Sequence, residues 1–234
     1  MVTVGVSWDT SYRIIAALLP RPNIFEEVSE AGDLDSVLAI EALTNPRLRE
    51  AAGFIGHVAV EDRVVGPGAA FVMAPFAYPH VGRFSDGTYG VYYAARELRT
   101  AIEETKYHRT LLWLDTSEAP FISENRVVEA ALEARMADAQ QEPNAPELLS
   151  AVDYGPSIVF GRRIYERGWD GIIWPSVRHQ RGICVGGFRP RLFSDARTTA
   201  YLGYRWNGRT IDDVFEIASL TGEYPADPGA RLGV

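Results

Sequence analysis

The segment 82–105 constrains the fold of this chain more than any other. It reads GRFSDGTYGVYY and continues as AARELRTAIEET. The glycines on either side of Arg83 and Asp86 predict a loop, the aromatic run ending at Tyr93 predicts a short strand, and the alanine- and glutamate-rich remainder predicts a helix. This order brings one guanidinium, one phenol and one carboxylate close together. Such a trio can hold a pyrophosphate, stack on an aromatic ring and stabilise positive charge on a sugar.

The predicted helix has distinct faces at 100° per residue. A largely apolar stripe is expected to face the core and comprises Ala94, Leu98, Ala101, Ile102 and Thr105. The flank of that stripe carries Glu97, Thr100, Glu104, His108 and, if the helix begins early enough, Tyr93. Glu103 lies on the opposite side, towards solvent. A carboxylate at position 104 is placed where the wall of a cleft needs one, although an ordinary boundary glutamate fits the same spacing.

A second informative segment presents a serine on a turn between two strands. Residues 171–174 predict a strand that ends at Pro175, and residues 182–188 predict the strand that returns. Ser176 lies on the turn but lacks the Gly-x-Ser-x-Gly elbow of a hydrolase nucleophile. Arg178, two residues on, is either a second anion contact or an ordinary surface arginine.

These segments, in this order and spacing, resemble the RES-domain family. The resemblance extends over about residues 12–209 and is carried by GRFS at 82–85, GVYYAA at 90–95, TAIEET at 100–105 and WPSVR at 174–178, with weaker support from EALTNPR at 41–47, GPG at 66–68 and FRP at 188–190. The family is named after an arginine, a glutamate and a serine, which map onto Arg83, Glu104 and Ser176, with Tyr93 as the usual aromatic companion. Glu103 competes for the acid position, but the register and the helix flank both favour Glu104.

The resemblance implies a fold and an activity. The expected fold is α+β: one RES domain over residues 1–234, with an ADP-ribosyltransferase-like mixed β-sheet core, flanking helices, an NAD-sized cleft and a frayed tail after about residue 227. The expected activity is that of a toxin that cleaves the nicotinamide–ribose bond of NAD, as a glycohydrolase or a phosphorylase. The alternatives are an ADP-ribosyltransferase with a specific protein target and a catalytically silent module that binds a partner.

The resemblance also implies roles and partners. Arg83 would bind the phosphates of NAD, Tyr93 would stack on the nicotinamide, Glu104 would stabilise the oxocarbenium-like ribose, and Ser176 would orient the ribose or amide by hydrogen bonding. NAD is the substrate, and no metal ion is expected. An Xre-type helix-turn-helix antitoxin would plug the cleft, and the toxin would self-associate as a homo-oligomer.

The charge balance limits the classes of partner. With 31 acidic and 23 basic residues, the chain has a net charge of −8, which argues against direct nucleic-acid binding and leaves room for a local basic pocket. No apolar run reaches the length of a membrane span and the N-terminus lacks the pattern of a signal peptide, so we expect a cytoplasmic protein. The single cysteine, Cys184, excludes an intramolecular disulfide and is expected in the core.

The remaining elements follow from local patterns. We expect strands at 12–15, 57–60, 70–74 and 109–114, a tight turn at 66–68, and a helix at 33–50 interrupted at Pro46. A helix at 156–167 buries Phe160 and Ile164 and ends at Gly168. The composition of 127–141 favours a helix, but the family resemblance favours a strand followed by a loop, which we adopt. Residues 141–146 are expected to form a mobile surface loop.

Overall fold

The computed structural model describes residues 1–17, 24–28, 30–41 and 54–217. The strands are β1 (Thr3–Ala16), β2 (Val81–Gly82), β3 (Ser85–Asp86), β4 (Tyr92–Ala95), β5 (Phe121–Asp138), β6 (Gly171–Pro175), β7 (Ile183–Gly187), β8 (Phe193–Trp206) and β9 (Ile211–Glu216). The helices are α1 (Ile24–Glu27), α2 (Leu34–Glu41), α3 (Ala69–Ala77), α4 (Leu98–Asp115), α5 (Ala145–Leu148) and α6 (Gly155–Glu166). Short 3₁₀ turns occupy Val60–Asp62, Ala139–Gln141 and Pro190–Leu192.

Seven strands form one mixed sheet in the order β1-β4-β7-β6-β5-β8-β9, and β2 pairs with β3 separately. The sheet also closes on itself, because β1 pairs with β5 along most of its length as well as with β4. The β5–β6 pairing is parallel and its neighbours are antiparallel. A mixed sheet with flanking helices confirms the α+β class.

An irregularity in the pairing of β1 decides which of its side chains face helix α4. The β1–β5 register shifts between Trp8 and Ser11, so β1 holds one more residue than β5 at this point. Such a bulge reverses the alternation of side chains across the sheet. Before it Trp8 packs in one core cluster, and after it Tyr12 and Ile14 pack on the opposite face, beneath α4.

Several sequence predictions are confirmed. The region 127–141 is a strand up to Asp138, because β5 lies between β1 and β8 and tertiary pairing outweighs its helix-prone composition. Helix α6 buries Phe160 and Ile164 and is followed by Gly168 with a positive φ of 73°. The turn at 66–68 also has positive φ at both glycines.

Other predictions were wrong. The expected strand at 70–74 is helix α3, in which all but one residue is buried, so its uniformly apolar composition reflects burial on every side. The expected strand at 109–114 is the second half of α4, and the helix starts at Leu98, which leaves Tyr93 on strand β4. The segment 57–60 is not a strand. Residues 141–146 lie on the surface as expected, with 141, 143, 144 and 146 exposed, but they also contain the buried Glu142 and the start of α5.

Two expectations fall partly or wholly outside the described residues. The predicted helix at 33–50 is seen as α2 over Leu34–Glu41, whereas its interruption at Pro46 and the family segment at 42–47 lie outside. Residues after 227, where a frayed tail is expected, lie outside as well. In the described part of the chain, no helix is both long and apolar enough to cross a bilayer.

Helix α6 supports the loop that carries Arg83, and this contact yields a stability prediction. A Cβ added at Gly161 would overlap the backbone carbonyl of Phe84. We expect Gly161→Ala to destabilise the domain by about 1–3 kcal/mol, as overpacking does, and to lower the Tm in calorimetry. Gly5→Ala is the control, because no atom of the described residues lies within 4 Å of the added Cβ. Equal Tm values for the two variants would contradict this packing.

Candidate functional site

A cavity of about 440 Å³ lies between α4 and the strands β1 and β4. Its volume falls within the range of small-molecule sites. The lining comprises Tyr12, Arg13, Ile14, His80, Val81, Gly82, Arg83, Tyr93, Ala94, Ala95, Ala101, Glu104, Thr105, His108, Arg109, Leu112, Trp174 and Cys184. The structure therefore brings Arg83, Tyr93 and Glu104 to one cavity, although they come from a loop, a strand and a helix.

Glu104 reaches the cavity from the second turn of α4. Its Oε1 accepts a hydrogen bond of 2.6 Å from the Ser176 hydroxyl, and the Cys184 thiol lies 3.7 Å from the same oxygen. The other carboxylate oxygen makes no hydrogen bond within the described residues. Glu103 points elsewhere and pairs with Lys106 at 3.6 Å. One carboxylate oxygen is thus fixed and the other is available to a ligand.

Hydrogen bonds in the turn after β6 fix both the side chain and the backbone of Ser176. The Ser176 Oγ accepts hydrogen bonds from the backbone N–H groups of Arg178 (3.1 Å) and His179 (2.9 Å). The backbone N–H of Ser176 donates to the carbonyl of Gly182 at 2.8 Å. The His179 ring bonds the hydroxyl of Thr100 on α4 at 2.8 Å. Because the turn is anchored to the helix that carries Glu104, the serine and the carboxylate are held at a fixed separation.

Arg83 is 7% exposed and is held by the segment 148–154. Its Nη1 donates to the carbonyls of Leu148 (3.2 Å) and Ser150 (2.8 Å). Its guanidinium lies 4.4 Å from the centroid of the Tyr154 ring. The second amino group, Nη2, is buried without a hydrogen-bond partner among the described residues. A buried donor without a partner is costly, so a ligand oxygen placed against Nη2 would be stabilised.

Tyr93 joins the loop to the strands. Its hydroxyl accepts a 3.0 Å hydrogen bond from the backbone N–H of Phe84, and its ring meets Trp174 edge-on, with the centroids 6.2 Å apart. Burial raises the pKa of Tyr93, so the phenol stays neutral. The hydroxyl therefore positions the residue next to Arg83, while the ring lines the cavity.

A family model of the RES domain matches residues 61–207, which is more than half of the chain. The chain belongs to the RES-domain family. The matched segment contains Arg83, Tyr93, Glu104 and Ser176, so the resemblance seen in the sequence is confirmed over the segments that carry these four residues. Three of the four line the cavity, whereas Ser176 contacts it through Glu104.

Two individual proteins are also similar to this RES domain. A Sinorhizobium fredii (strain NBRC 101917 / NGR234) protein, described as uncharacterized protein y4oC, is 25% identical over 217 residues, which cover 92% of this chain and 90% of that protein. The crystal structure of the M. tuberculosis MbcT–MbcA toxin–antitoxin complex aligns at a TM-score of 0.43 with 12% identity, over 86% of each chain.

The cavity of this RES domain is more basic than the acidic chain around it. Arg13, Arg83 and Arg109 line it, and none of them forms an ion pair with a carboxylate of the described residues. Desolvation lowers the pKa of Arg13 and of Arg109. Desolvation also lowers the pKa of His80 and of His108, which keeps both imidazoles neutral at pH 7. The surplus of cationic groups favours an anionic ligand.

Sequence reasoning missed two contacts of this RES domain. Cys184 is buried as expected, but it also lines the cavity and touches Glu104; burial raises the pKa of its thiol, which stays protonated. The register of β7, which pairs Cys184 with Ala95 and Trp174, reveals this position only once the sheet is known. Arg178 donates to the carbonyl of Ala151, a backbone contact that neither sequence interpretation included.

In the described residues, no group of three or more His, Cys, Asp or Glu side chains is arranged to hold a metal ion.

Proposed function

We propose that this RES domain is a toxin that cleaves the bond between nicotinamide and ribose in NAD. The observation that carries the proposal is the Glu104 carboxylate on the cavity, with one oxygen fixed by Ser176. Its other oxygen, and the Nη2 of Arg83 on the same cavity, have no hydrogen-bond partner among the described residues. NAD combines an anionic pyrophosphate with a ribose that becomes positively charged as its glycosidic bond breaks. The Arg83 guanidinium suits the pyrophosphate, and the Glu104 carboxylate suits the positively charged ribose.

Substrate binding depends on Arg83 and Tyr93. The planar guanidinium presents donors at the spacing of phosphate oxygens, and its Nη1 is already occupied by two carbonyls, so Nη2 binds the pyrophosphate. The Tyr93 ring stacks on the nicotinamide. The neutral phenol suits this role, because a phenolate would repel the phosphates.

The chemical step breaks the bond between the ribose C1′ and the nicotinamide nitrogen. The bonding electron pair leaves with nicotinamide, and the ribose becomes oxocarbenium-like. The Glu104 carboxylate stabilises this cation more than it stabilises the neutral ribose, which lowers the barrier. The oxygen of an acceptor then adds to C1′ and loses its proton. With water as acceptor the product is ADP-ribose, and with inorganic phosphate it is the corresponding sugar phosphate.

Ser176 positions Glu104. Its hydroxyl donates to the Glu104 carboxylate and its oxygen accepts two backbone N–H groups, so both lone pairs of that oxygen are engaged, and we assign the serine to positioning and not to nucleophilic attack.

We expect Ser176→Ala to lower kcat roughly tenfold, which corresponds to about 1.5 kcal/mol, the lower end of the range for one hydrogen bond to a charged group. Steady-state kinetics with NAD measure this effect. Ser157→Ala is the control, because Ser157 is buried and, among the described residues, its hydroxyl bonds only the carbonyl of Tyr154. A covalent ADP-ribosyl adduct on Ser176, or a loss as large as that of Glu104→Gln, would make the serine a direct participant.

Incubation of the purified protein with NAD, with and without phosphate, tests the proposed reaction. Mass spectrometry should detect free nicotinamide in both cases and a sugar phosphate only if phosphate is the acceptor. ADP-ribose attached to a protein from an added lysate, without turnover of NAD alone, would identify a transferase with a protein target. A folded protein that neither cleaves NAD nor transfers ADP-ribose would be the silent partner-binding module.

The proposed partner is an Xre-type helix-turn-helix antitoxin that occupies the cavity. An acidic chain with a net charge of −8 attracts basic surfaces of such a partner. Expression of this RES domain alone should deplete cytoplasmic NAD and arrest growth, and co-expression of the antitoxin should restore both. Growth arrest at unchanged NAD would contradict NAD cleavage as the cause of toxicity. Self-association into a homo-oligomer is proposed on the family resemblance and is tested by light scattering.

A further inference from the structure

The segment 148–154 presents three backbone carbonyls to two arginines. The carbonyls of Leu148 and Ser150 accept from Arg83, and the carbonyl of Ala151 accepts from Arg178. The segment keeps its own shape through the Ser150 hydroxyl, which accepts from the N–H groups of residues 152 and 153 at 3.4 and 3.0 Å. Its carbonyls are therefore free to bind the two guanidinium groups that converge on it.

Arg178 reaches this segment from the Ser176 turn and across α4. Its guanidinium carbon lies 3.3 Å from the centroid of the Tyr107 ring on α4. The Tyr107 hydroxyl donates to the same Ala151 carbonyl at 3.4 Å. Arg178 forms no ion pair with any carboxylate of the described residues. A cation stacked on a ring and bonded to a carbonyl fixes the position of the segment.

The two functions of residue 178 come from different atoms. Its backbone N–H donates to the Ser176 hydroxyl, whereas its side chain holds Ala151. Ala151 follows Ser150, whose carbonyl makes the shorter of the two hydrogen bonds to Arg83. Any displacement of the 151 carbonyl is thus transmitted through one peptide unit to the partner of Arg83.

We infer that Arg178 is a positioning residue that holds the segment 148–154 and, through it, the phosphate-binding guanidinium of Arg83. The inference rests on the proposed function for its kinetic consequence. The side chain of Arg178 acts on substrate binding. Its backbone N–H supports Ser176, and every substitution except proline retains that N–H.

The test compares Arg178→Met with Arg181→Met. Methionine replaces the aliphatic stem of the side chain and removes the guanidinium. The control residue, Arg181, is an exposed arginine of the same turn whose side chain has no hydrogen bond or ion pair to the described residues. Hydrogen–deuterium exchange of peptides covering 148–154 should become several-fold faster in Arg178→Met and stay at the wild-type rate in Arg181→Met. The KM for NAD should rise about tenfold in Arg178→Met, with kcat within twofold of wild type.

A double variant shows whether Arg178 acts through Arg83. In an Arg83→Lys background, Arg178→Met should raise KM by much less than tenfold, because the group that it positions is gone. Additive effects on KM, a fall in kcat at constant KM, or unchanged exchange at 148–154 would each overturn the inference. The exchange measurement needs no substrate. If the protein fails to cleave NAD, the proposed function is wrong, but exchange at 148–154 still tests whether Arg178 fixes this segment.

Discussion

Glu104→Gln should lower the rate of NAD cleavage by roughly 10²–10³-fold, the effect of losing one electrostatic stabiliser of a transition state. Glutamine keeps the shape of the side chain and an oxygen that can accept from the Ser176 hydroxyl, which lies 2.6 Å from the carboxylate in the wild type. What is lost is the negative charge that faces the ribose as nicotinamide departs. The KM should change less than kcat, because positive charge develops on the ribose only as the glycosidic bond breaks.

The matched control for this variant is Glu103→Gln. Glu103 is the adjacent acid on α4, but it pairs with Lys106 and does not line the cavity. Single-turnover rates of both variants with NAD, together with thermal melts, separate loss of chemistry from loss of fold. An active Glu104→Gln beside an inactive Glu103→Gln would mean that the acid of the family maps onto the neighbouring residue.

Arg83→Lys should raise the KM for NAD roughly 10- to 150-fold, which corresponds to about 1.5–3 kcal/mol for hydrogen bonds of a charged group. Lysine retains the charge, but its single ammonium lacks the planar fork whose two amino groups point separately to the carbonyls of the 148–154 segment and to a phosphate oxygen. In the wild type, Nη1 serves the two carbonyls while Nη2 remains for the ligand. Titration calorimetry measures the loss of affinity for NAD directly.

Arg63→Lys controls for the removal of a buried guanidinium. Arg63 is 8% exposed, donates to the carbonyls of Val58 and Ile55, and pairs with Asp35, all away from the cavity. This variant should lose stability without a change in affinity for NAD. Wild-type affinity in Arg83→Lys would assign Arg83 to the support of the segment 148–154 alone.

The accuracy of the sequence predictions followed the range of the interactions involved. The helix at 156–167 was predicted well because Pro156, the spacing of Phe160 and Ile164, and Gly168 are local signals. The strand predicted at 109–114 failed because α4 continues to Asp115. The apolar residues Leu111, Leu112 and Leu114 of that stretch are about half exposed on the helix, so their clustering reflects no buried strand.

The candidate site shows the same division between what local patterns predict and what long-range contacts decide. Arg83, Tyr93, Glu104 and Ser176 could be singled out from the sequence, because each lies in a short segment with a recognisable pattern of glycines, aromatic residues or helix spacing. The choice of Glu104 over Glu103 also followed from helix geometry, and the structure places Glu104 on the cavity. Their assigned roles remain predictions for the variants to test.

The sequence by itself determined the α+β class, the family and the chemical groups of the site. The tertiary structure decided how those groups are held. The bulge after Trp8 turns Tyr12 and Ile14 towards α4, and Arg83 bonds a carbonyl 65 positions away in a segment without a distinctive sequence pattern. The physical reason is that periodicity and turn signals act over a few residues, whereas these contacts depend on strand register and on backbone carbonyls, which every residue type possesses alike.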